Sequence, residues 1–350
     1  MSTFLRAGLV GVTGYTGMEL ARVLASHPSM RLVCATSRTE AGARLGDLYP
    51  FLNGLPGADV RLIEPLPSRV AAECDIVFLA VPHGTAAEMA AELLKLGKKV
   101  VDLSADFRLR DAGVYEAWYK NHPHPELLPR AVYGLPELYA DAVAGADLVA
   151  NPGCYPTASI LGLAAPLAAG LIETDGIVID AKSGTTGAGR TPGVPTLFCE
   201  VQDTFRAYNP GKHRHTPEIE QELSCLADAP LTVMFSPHLV PMNRGILATI
   251  YTRLKQPVSQ EAVQTAFETY WKDAPFVRVM RPGTLPETRF VRGTMFCDMA
   301  PVVEPRTGRL IVVSVIDNLC RGASGQAVAN ANLMCGLPLD AGLRLAPLMP

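Results

Sequence analysis

Cys154 sits in the run Asn151-Pro152-Gly153-Cys154-Tyr155-Pro156-Thr157, directly ahead of an apolar, helix-favouring stretch from Thr157 to Ala169 that only Pro166 interrupts. A cysteine at a helix mouth faces backbone N–H groups without intrahelical partners and the positive end of the macrodipole, where a thiolate is favoured over a thiol. The dipole supplies at most about 2 kcal/mol, so a nucleophilic thiolate at neutral pH needs a second helper. The run Lys212-His213-Arg214-His215-Thr216-Pro217-Glu218 offers one. Its two histidines stand just before a helix for which Thr216, Pro217 and Glu218 are the expected cap, first-turn proline and first-turn acid. Cys154 with His213 or His215 makes the nucleophile and base of covalent catalysis. His-x-His also occurs in metal sites, but no third ligand of the right kind is nearby and the cysteines are dispersed, so no metal is expected.

Two further segments suit anions. The run from Asp180 to Arg190 (DAKSGTTGAGR) ends a strand in a glycine-rich, hydroxylated loop. Its Ser183, Gly184 and Arg190 are candidate contacts for a phosphate, with Arg214 between the histidines as another. Ser104-Ala105-Asp106-Phe107-Arg108 ends a strand of the first half, where open α/β sheets bind ligands. Arg108 reads either as a substrate contact or as a structural partner of Asp106. His83, after Val81-Pro82, is expected to line the cofactor crevice without chemical duty. His238, inside a strand-like run, reads as a packed or hydrogen-bonded core residue.

A cofactor loop is written in Gly11-Val12-Thr13-Gly14-Tyr15-Thr16-Gly17, which follows one apolar run and opens a helical one. Glycines spaced by three let the backbone turn tightly and approach a pyrophosphate, whose charge the helix N-terminus accepts. Gly11, Thr13, Gly14, Tyr15, Thr16 and Gly17 are therefore expected to bind a dinucleotide. After the second strand an NAD enzyme places an acidic residue for the ribose hydroxyl, but this chain has Ala35-Thr36-Ser37-Arg38. Ser37 and Arg38 suit a 2′-phosphate, so the expected cofactor is NADP(H).

These residues need a scaffold, and the rest of the chain describes one. Its 350 residues have room for two domains, each with its own core. A net charge of −3, from 31 basic and 34 acidic residues, gives no basic field for nucleic acid. No uninterrupted apolar run is long enough to span a bilayer, and MSTFLRAGLVGVTG lacks the basic and apolar regions of an export signal. The expectation is a cytoplasmic protein with no nucleic-acid or membrane partner, whose eight scattered cysteines, without a C-x-x-C pair, remain free thiols. Strand-like runs at Leu5–Val10, Leu32–Ala35, Ile76–Val81 and Val100–Leu103 alternate with helical patterns at Met18–Ala25 and Ala86–Leu96, the mark of a helix-covered parallel sheet. From Asp175 the strands lengthen and suit a mixed or antiparallel sheet, with helical patterns at Pro217–Leu226 and Gln260–Trp271 for one of its faces. A last helix, Gly325–Met334, is expected to return to the first domain, and the proline-rich segment Asn121–Pro136 reads as a loop. The fold class is α/β: a Rossmann-type parallel-sheet domain (residues 1–153 and 318–350) plus a second, α+β domain with a mixed or antiparallel sheet (residues 154–317).

Over essentially its whole length the chain resembles the N-acetyl-gamma-glutamyl-phosphate reductases, NADPH-dependent enzymes of arginine biosynthesis in the aspartate-semialdehyde dehydrogenase superfamily. The resemblance rests on GVTGYTGMEL (Gly11–Leu20), VPHGTAAE (Val81–Glu88), DLSADFRL (Asp102–Leu109), NPGCYPT (Asn151–Thr157), AKSGTTGAGR (Ala181–Arg190), HRHTPEIEQEL (His213–Leu223) and DNLCRGASGQAVANANLM (Asp317–Met334), in that order. It implies reduction of an acyl phosphate to a semialdehyde and inorganic phosphate through a thioester on Cys154. The same resemblance implies proton transfer and orientation by the His213/His215 pair, and Asn318 and Gly322 near the nicotinamide. From the residue types His215 is the expected acid, and Pro82 is expected to bind the cofactor. It further implies a homo-oligomer, dimer or tetramer. The chain departs from the family in reading SGTTGAG where SGVSGAG is expected, and in Cys199-Glu200-Val201. Two alternatives stay open at this point: a sister reductase acting on an aspartyl or carrier-bound aminoadipyl phosphate, and a non-catalytic NADP-sensing protein. Retention of Cys154 and both histidines argues against the second.

Overall fold

Fully apolar runs such as Ile76–Leu79, buried along their whole length, belong in a parallel sheet covered on both faces. The computed structural model describes residues 4–349, and residues 1–3 and 350 lie outside them. The chain divides into two units: residues 4–152 with Ala323–Leu345, and Gly153–Gly322 with residues 346–349.

The first unit holds seven strands, β1 (Leu5–Val10), β2 (Met30–Thr36), β3 (Leu62–Ile63), β4 (Ile76–Leu79), β5 (Lys99–Asp102), β6 (Val132–Tyr133) and β7 (Leu148–Ala150). They pair in the order β3-β2-β1-β4-β5-β7-β6, every pair parallel. Helices Tyr15–Ala25 and Thr85–Lys95 bury their aliphatic stripes against it. The returning helix Gly325–Met334 is buried along nearly its whole length and packs on β5 and on the helices Tyr15–Ala25 and Pro136–Gly145. The segment expected as a loop, Asn121–Pro136, is more ordered than that. It contains a 3₁₀ turn (Pro125–Arg130) and the edge strand β6, and Pro136 opens a helix. Proline's fixed φ suits a first helical turn, so these prolines start elements as well as interrupting them.

The second unit carries β8 (Ile177–Gly184), β9 (Arg206–Ala207), β10 (Val233–Val240), β11 (Ile246–Arg253), β12 (Val277–Val279), β13 (Cys297–Glu304) and β14 (Arg309–Ile316). Their order is β12-β13-β14-β11-β8-β10-β9, with β8/β10 and β12/β13 parallel and the other pairs antiparallel. Along β8, β11 and β14 burial alternates: Ile179, Ala181, Ile250 and Val312 are covered, whereas Val178, Leu247 and Ile311 are half-buried on the opposite face. The covered face meets the helix Cys154–Ala168, on which the helices Thr216–Ala227 and Gln260–Trp271 pack in turn. This central helix begins at Cys154, three residues earlier than its composition suggested, and runs through Pro166. A helix buried on all sides needs close approach to its sheet. Gly162 provides it, since a Cβ there would stand 3.0 Å from Ile250 Cδ1 and 3.2 Å from Ser314 Cβ.

Candidate active site

In the first unit the chain leaves β1 at Gly11 with φ +93°, a conformation that L side chains rarely adopt. A Cβ there would stand 2.4 Å from the Ala80 carbonyl oxygen, and one at Gly17 would stand 2.4 Å from the carbonyl oxygen of Gly11. These two glycines let the first helix, the loop and the end of β4 close on one another. Gly14 differs, because a Cβ there would meet nothing within 4 Å. Gly14 is also the N-cap of helix Tyr15–Ala25, and no side chain caps that end. Open space ahead of an uncapped helix N-terminus fits the pyrophosphate of a dinucleotide, with Thr13, Tyr15 and Thr16 around it. At the end of β2, Ser37 Oγ accepts from Thr39 N (3.3 Å) and Glu40 N (3.1 Å), a turn that presents an exposed Arg38.

Pro82 is exposed beside this loop, in a turn fixed from below by Asp106. The Asp106 carboxylate accepts from Gly84 N (2.8 and 2.9 Å), Ala87 N (3.0 Å) and Tyr115 Oη (2.8 Å), so an acid distant in sequence caps the helix Thr85–Lys95. Burial, reinforced by Asp106, pushes the Tyr115 phenol up and keeps it a donor. His83 Nδ1 accepts from Ala105 N at 3.1 Å, tying the same turn to the Ser104–Arg108 segment. Arg108 is buried, and it donates from Nε to Asn151 O (2.7 Å) and from NH2 to Leu103 O (2.9 Å). It thereby holds the backbone that leads toward Pro152. Asn151 itself donates to Ala323 O (3.1 Å) and accepts from Asn330 Nδ2 (3.0 Å).

The second unit assembles the reactive side chains. Gly153 caps the helix that Cys154 begins, and its N–H donates to Glu218 Oε1 at 2.8 Å. Glu218 lies in the first turn of helix Thr216–Ala227, whose N-cap is His215. One buried carboxylate therefore brings two helix N-termini together, with the thiol at one and a histidine at the other. The Tyr155 ring lies between them, its centroid 5.5 Å from that of His213, 6.0 Å from that of His215 and 5.2 Å from that of Phe235. Tyr208 Oη donates to Tyr155 Oη (3.0 Å), which donates to His238 O (3.2 Å). Burial pushes both phenols far up, so this cage stays neutral.

The two histidines are not equivalent. Burial, with a smaller contribution from the Arg214 charge, lowers His213 to about 4, and its Nδ1 accepts from His215 N at 3.1 Å. His213 is thus a neutral imidazole at pH 7 that fixes the backbone of its neighbour. Gly322 closes the other side of Cys154, because a Cβ on it would stand 2.7 Å from Cys154 Cβ and 3.0 Å from its Cα. Asn318 and Asp317 hold that segment in place. Asn318 Oδ1 accepts from Gly245 N (2.7 Å) and its Nδ2 donates to Thr186 Oγ1 (2.9 Å). Asp317 accepts from Gly293 N (2.6 Å), Leu319 N (2.9 Å), Cys320 N (2.7 Å) and Arg244 NH2 (3.0 Å). These contacts group Asn318–Gly322 with the second unit, where the sequence reading had placed them in the cofactor domain.

The glycine-rich loop needs one correction. Its hydroxyl protons are committed to backbone carbonyls: Ser183 to Gly184 O (3.0 Å), Thr185 to Met242 O (3.2 Å) and Thr186 to Asn243 O (2.6 Å). They fasten the loop to the 242–245 turn, and the groups it presents outward are Gly187–Arg190, all exposed. Arg214 is exposed as well. His238 stacks on Phe205 at 5.3 Å and its Nδ1 lies 3.2 Å from Asp180 Oδ1, a half-buried structural residue. Sequence reasoning misses Tyr155, Tyr208 and Asp317, sees Asp106 only as a partner for Arg108 rather than as the cap of Thr85–Lys95, and sees Glu218 only as a first-turn acid. Tyr155 alone carried a signal, its place next to the cysteine. Among the described residues no cluster of His, Cys, Asp and Glu could hold a metal ion, and no helix is long and apolar enough to cross a membrane.

Two family models cover nearly the whole chain: semialdehyde dehydrogenase, NAD binding domain, over residues 6–146, and semialdehyde dehydrogenase, dimerisation domain, over residues 154–318. The chain is 53% identical to the N-acetyl-gamma-glutamyl-phosphate reductase of Geobacter sulfurreducens over 347 residues, 99% of this chain and 100% of that one. It is 54% identical to the enzyme of the same name from Desulforudis audaxviator, with the same coverage. Among solved structures, aspartate semialdehyde dehydrogenase II of Vibrio cholerae, complexed with ASA, superposes with a TM-score of 0.73 at 16% identity, covering 96% of this chain and 99% of that one. Aspartate semialdehyde dehydrogenase with NADP from Candida albicans gives a TM-score of 0.72 at 16% identity, covering 97% and 99%. At these identities the likeness shows the shared two-domain fold.

Proposed function

This chain belongs to the N-acetyl-gamma-glutamyl-phosphate reductases of the semialdehyde dehydrogenase family, and from that premise we propose that it makes N-acetyl-L-glutamate 5-semialdehyde and phosphate from N-acetyl-L-glutamyl 5-phosphate, with NADPH, in arginine biosynthesis. The observation that carries the reading is the full-length identity together with an intact Cys154 at a helix mouth shared with the histidine pair.

Cys154 attacks the acyl carbon, and the acyl–oxygen bond breaks with loss of phosphate, leaving a thioester. The exposed guanidinium groups of Arg190 and Arg214 suit the departing dianion, because the loop hydroxyls are engaged elsewhere. The Gly11–Gly17 loop, Ser37 and Arg38 would hold NADPH, which would supply the hydride needed to bring the acyl group to the aldehyde level. His215 gives a proton to the developing oxyanion or to the departing sulfur of Cys154. His213, neutral and desolvated, orients the His215 backbone and excludes water. Gly322 leaves room for the acylated cysteine, where any side chain would collide with it.

Self-association through the half-buried face of the second sheet, in a unit matched by a dimerisation-domain model, and a cytoplasmic location complete the proposal. The test is phosphate-dependent reduction of NADP measured with N-acetylglutamate semialdehyde, aspartate semialdehyde and a carrier-linked aminoadipate semialdehyde. The first should exceed the others in kcat/KM by about a hundredfold or more. Equal or faster turnover of either competitor overturns the assignment of substrate.

A further inference from the structure

Cys34 and Cys74 take no part in this chemistry, yet the fold sets them side by side. Cys34 lies on β2 opposite Gly8 of β1 in a parallel register, so the two positions share a side-chain direction at about 4.8 Å. Gly8 has no side chain, and the space it leaves is occupied by Cys74. A Cβ on Gly8 would stand 2.6 Å from Cys74 Sγ and 3.3 Å from its Cβ. The Cys74 sulfur therefore fills the place beside the Cys34 side chain.

The pair is asymmetric. Cys74 is fully buried, whereas Cys34 lines a cavity of about 260 Å³ together with Arg61, Arg69 and Glu73. The adjacent Cys74 thiol holds the Cys34 thiol below its ordinary range, with the Arg69 charge acting in the same direction against burial and Glu73. The Cys74 thiol is pushed up, by Cys34 first and by burial second. One sulfur thus borders a space that a small molecule can enter. The other is a thiol held against it.

We propose that Cys34 and Cys74 form a redox pair that closes into an intramolecular disulfide on exposure to a hydroperoxide and reopens with a dithiol. The Cys34 thiolate attacks the O–O bond and becomes a sulfenic acid, and the second peroxide oxygen leaves as water. Cys74 sulfur then attacks Cys34 sulfur, the S–O bond breaks, and a second water carries off the Cys74 proton. Two thiols and one hydrogen peroxide give one disulfide and two waters. The bridge fastens β2, close to Ser37 and Arg38, to the end of the helix Pro67–Glu73.

The experiment uses the Cys154→Ser protein, in which the catalytic thiol cannot compete, treated with hydrogen peroxide and analysed by intact mass and tryptic mapping. The protein should become about 2 Da lighter, with tryptic peptides 32–38 and 70–95 joined and separated again by dithiothreitol. Cys34→Ser and Cys74→Ala, each added to that protein, should both abolish the loss. The proposal fails if both cysteines remain fully alkylatable after denaturation at a peroxide dose that oxidises the exposed Cys199 and Cys225. It fails equally if either double variant still loses two hydrogens, because the bridge then lies elsewhere.

Discussion

Gly11, Gly14 and Gly17 act through the side chains they lack, whereas Cys154, Tyr155, Tyr208, His213 and His215 act through side chains drawn from segments more than fifty residues apart. In the first unit the seven residues Gly11–Gly17 turn the backbone, let it close on Ala80 and leave an uncapped helix end. In the second, the thiol and the histidines meet because Glu218 joins two helix starts and because an aromatic cage removes water from one ring. A site built from backbone is written in local spacing. One built from side chains depends on contacts that only the tertiary fold makes.

Loss of the thiol is the sharpest way to separate the two. Cys154→Ser is expected to lower kcat by about 10³-fold or more while leaving the Kd for NADPH unchanged. Activity within tenfold of wild type removes Cys154 from the chemistry, and a parallel loss of NADPH binding shows that the units are not functionally separable in this way. The histidines come next. His215→Asn should lower kcat by about 10², and His213→Asn should act mainly on KM, because a neutral buried ring has no proton to deliver at pH 7. A larger kcat loss at His213 reverses the two roles.

This difference also marks how far the sequence could be read. Strand β1 (Leu5–Val10) and the helices Gln260–Trp271 and Gly325–Met334 were legible to the residue, because apolar periodicity and flanking glycines or caps set their ends. The start of the cysteine helix was misplaced by three residues, since Gly153 is an unremarkable N-cap until its N–H meets Glu218. The glycine-rich loop was read as a cradle for phosphate because hydroxyls next to glycines suit one. Its hydroxyls proved to be engaged with carbonyls of Met242 and Asn243, about sixty residues on. Sequence gives no physical ground for dividing the roles of His213 and His215; the structure adds one, because His213 Nδ1 accepts from the His215 backbone N–H and burial lowers its ring.

Cofactor choice tests the backbone half of the comparison with a smaller effect. Ser37 shapes its turn and leaves Arg38 exposed, so Arg38 is the group available to a 2′-phosphate. Charge-assisted hydrogen bonds are worth about 1.5–3 kcal/mol each, so Arg38→Ala should raise the Kd for NADPH by roughly tenfold to a hundredfold, with NADH little changed. A wild-type enzyme that uses both cofactors equally, or a variant that loses both in parallel, places the phosphate contact elsewhere.

A last effect, on no catalytic rate at all, probes the side-chain half through stability. Folding lowers His213 to about 4 from the 6.5 of an exposed imidazole, chiefly by burial and then by the Arg214 charge. Between pH 6.5 and about 4 the unfolded chain binds a proton that the folded chain refuses, so stability falls as pH falls through that window and is independent of this group above it. His27 and His122, also lowered by burial, contribute with the same sign, so the wild-type curve alone cannot isolate one ring. The informative quantity is the wild-type Tm minus that of His213→Gln, which cannot titrate. That difference should shrink by roughly 5–10 °C on going from pH 7 to pH 4.5, the scale of about 2.5 kcal/mol in a domain of this size. A difference that stays flat across the window means that the His213 ring is solvated, and the assignment of His215 as the proton donor then loses its physical basis.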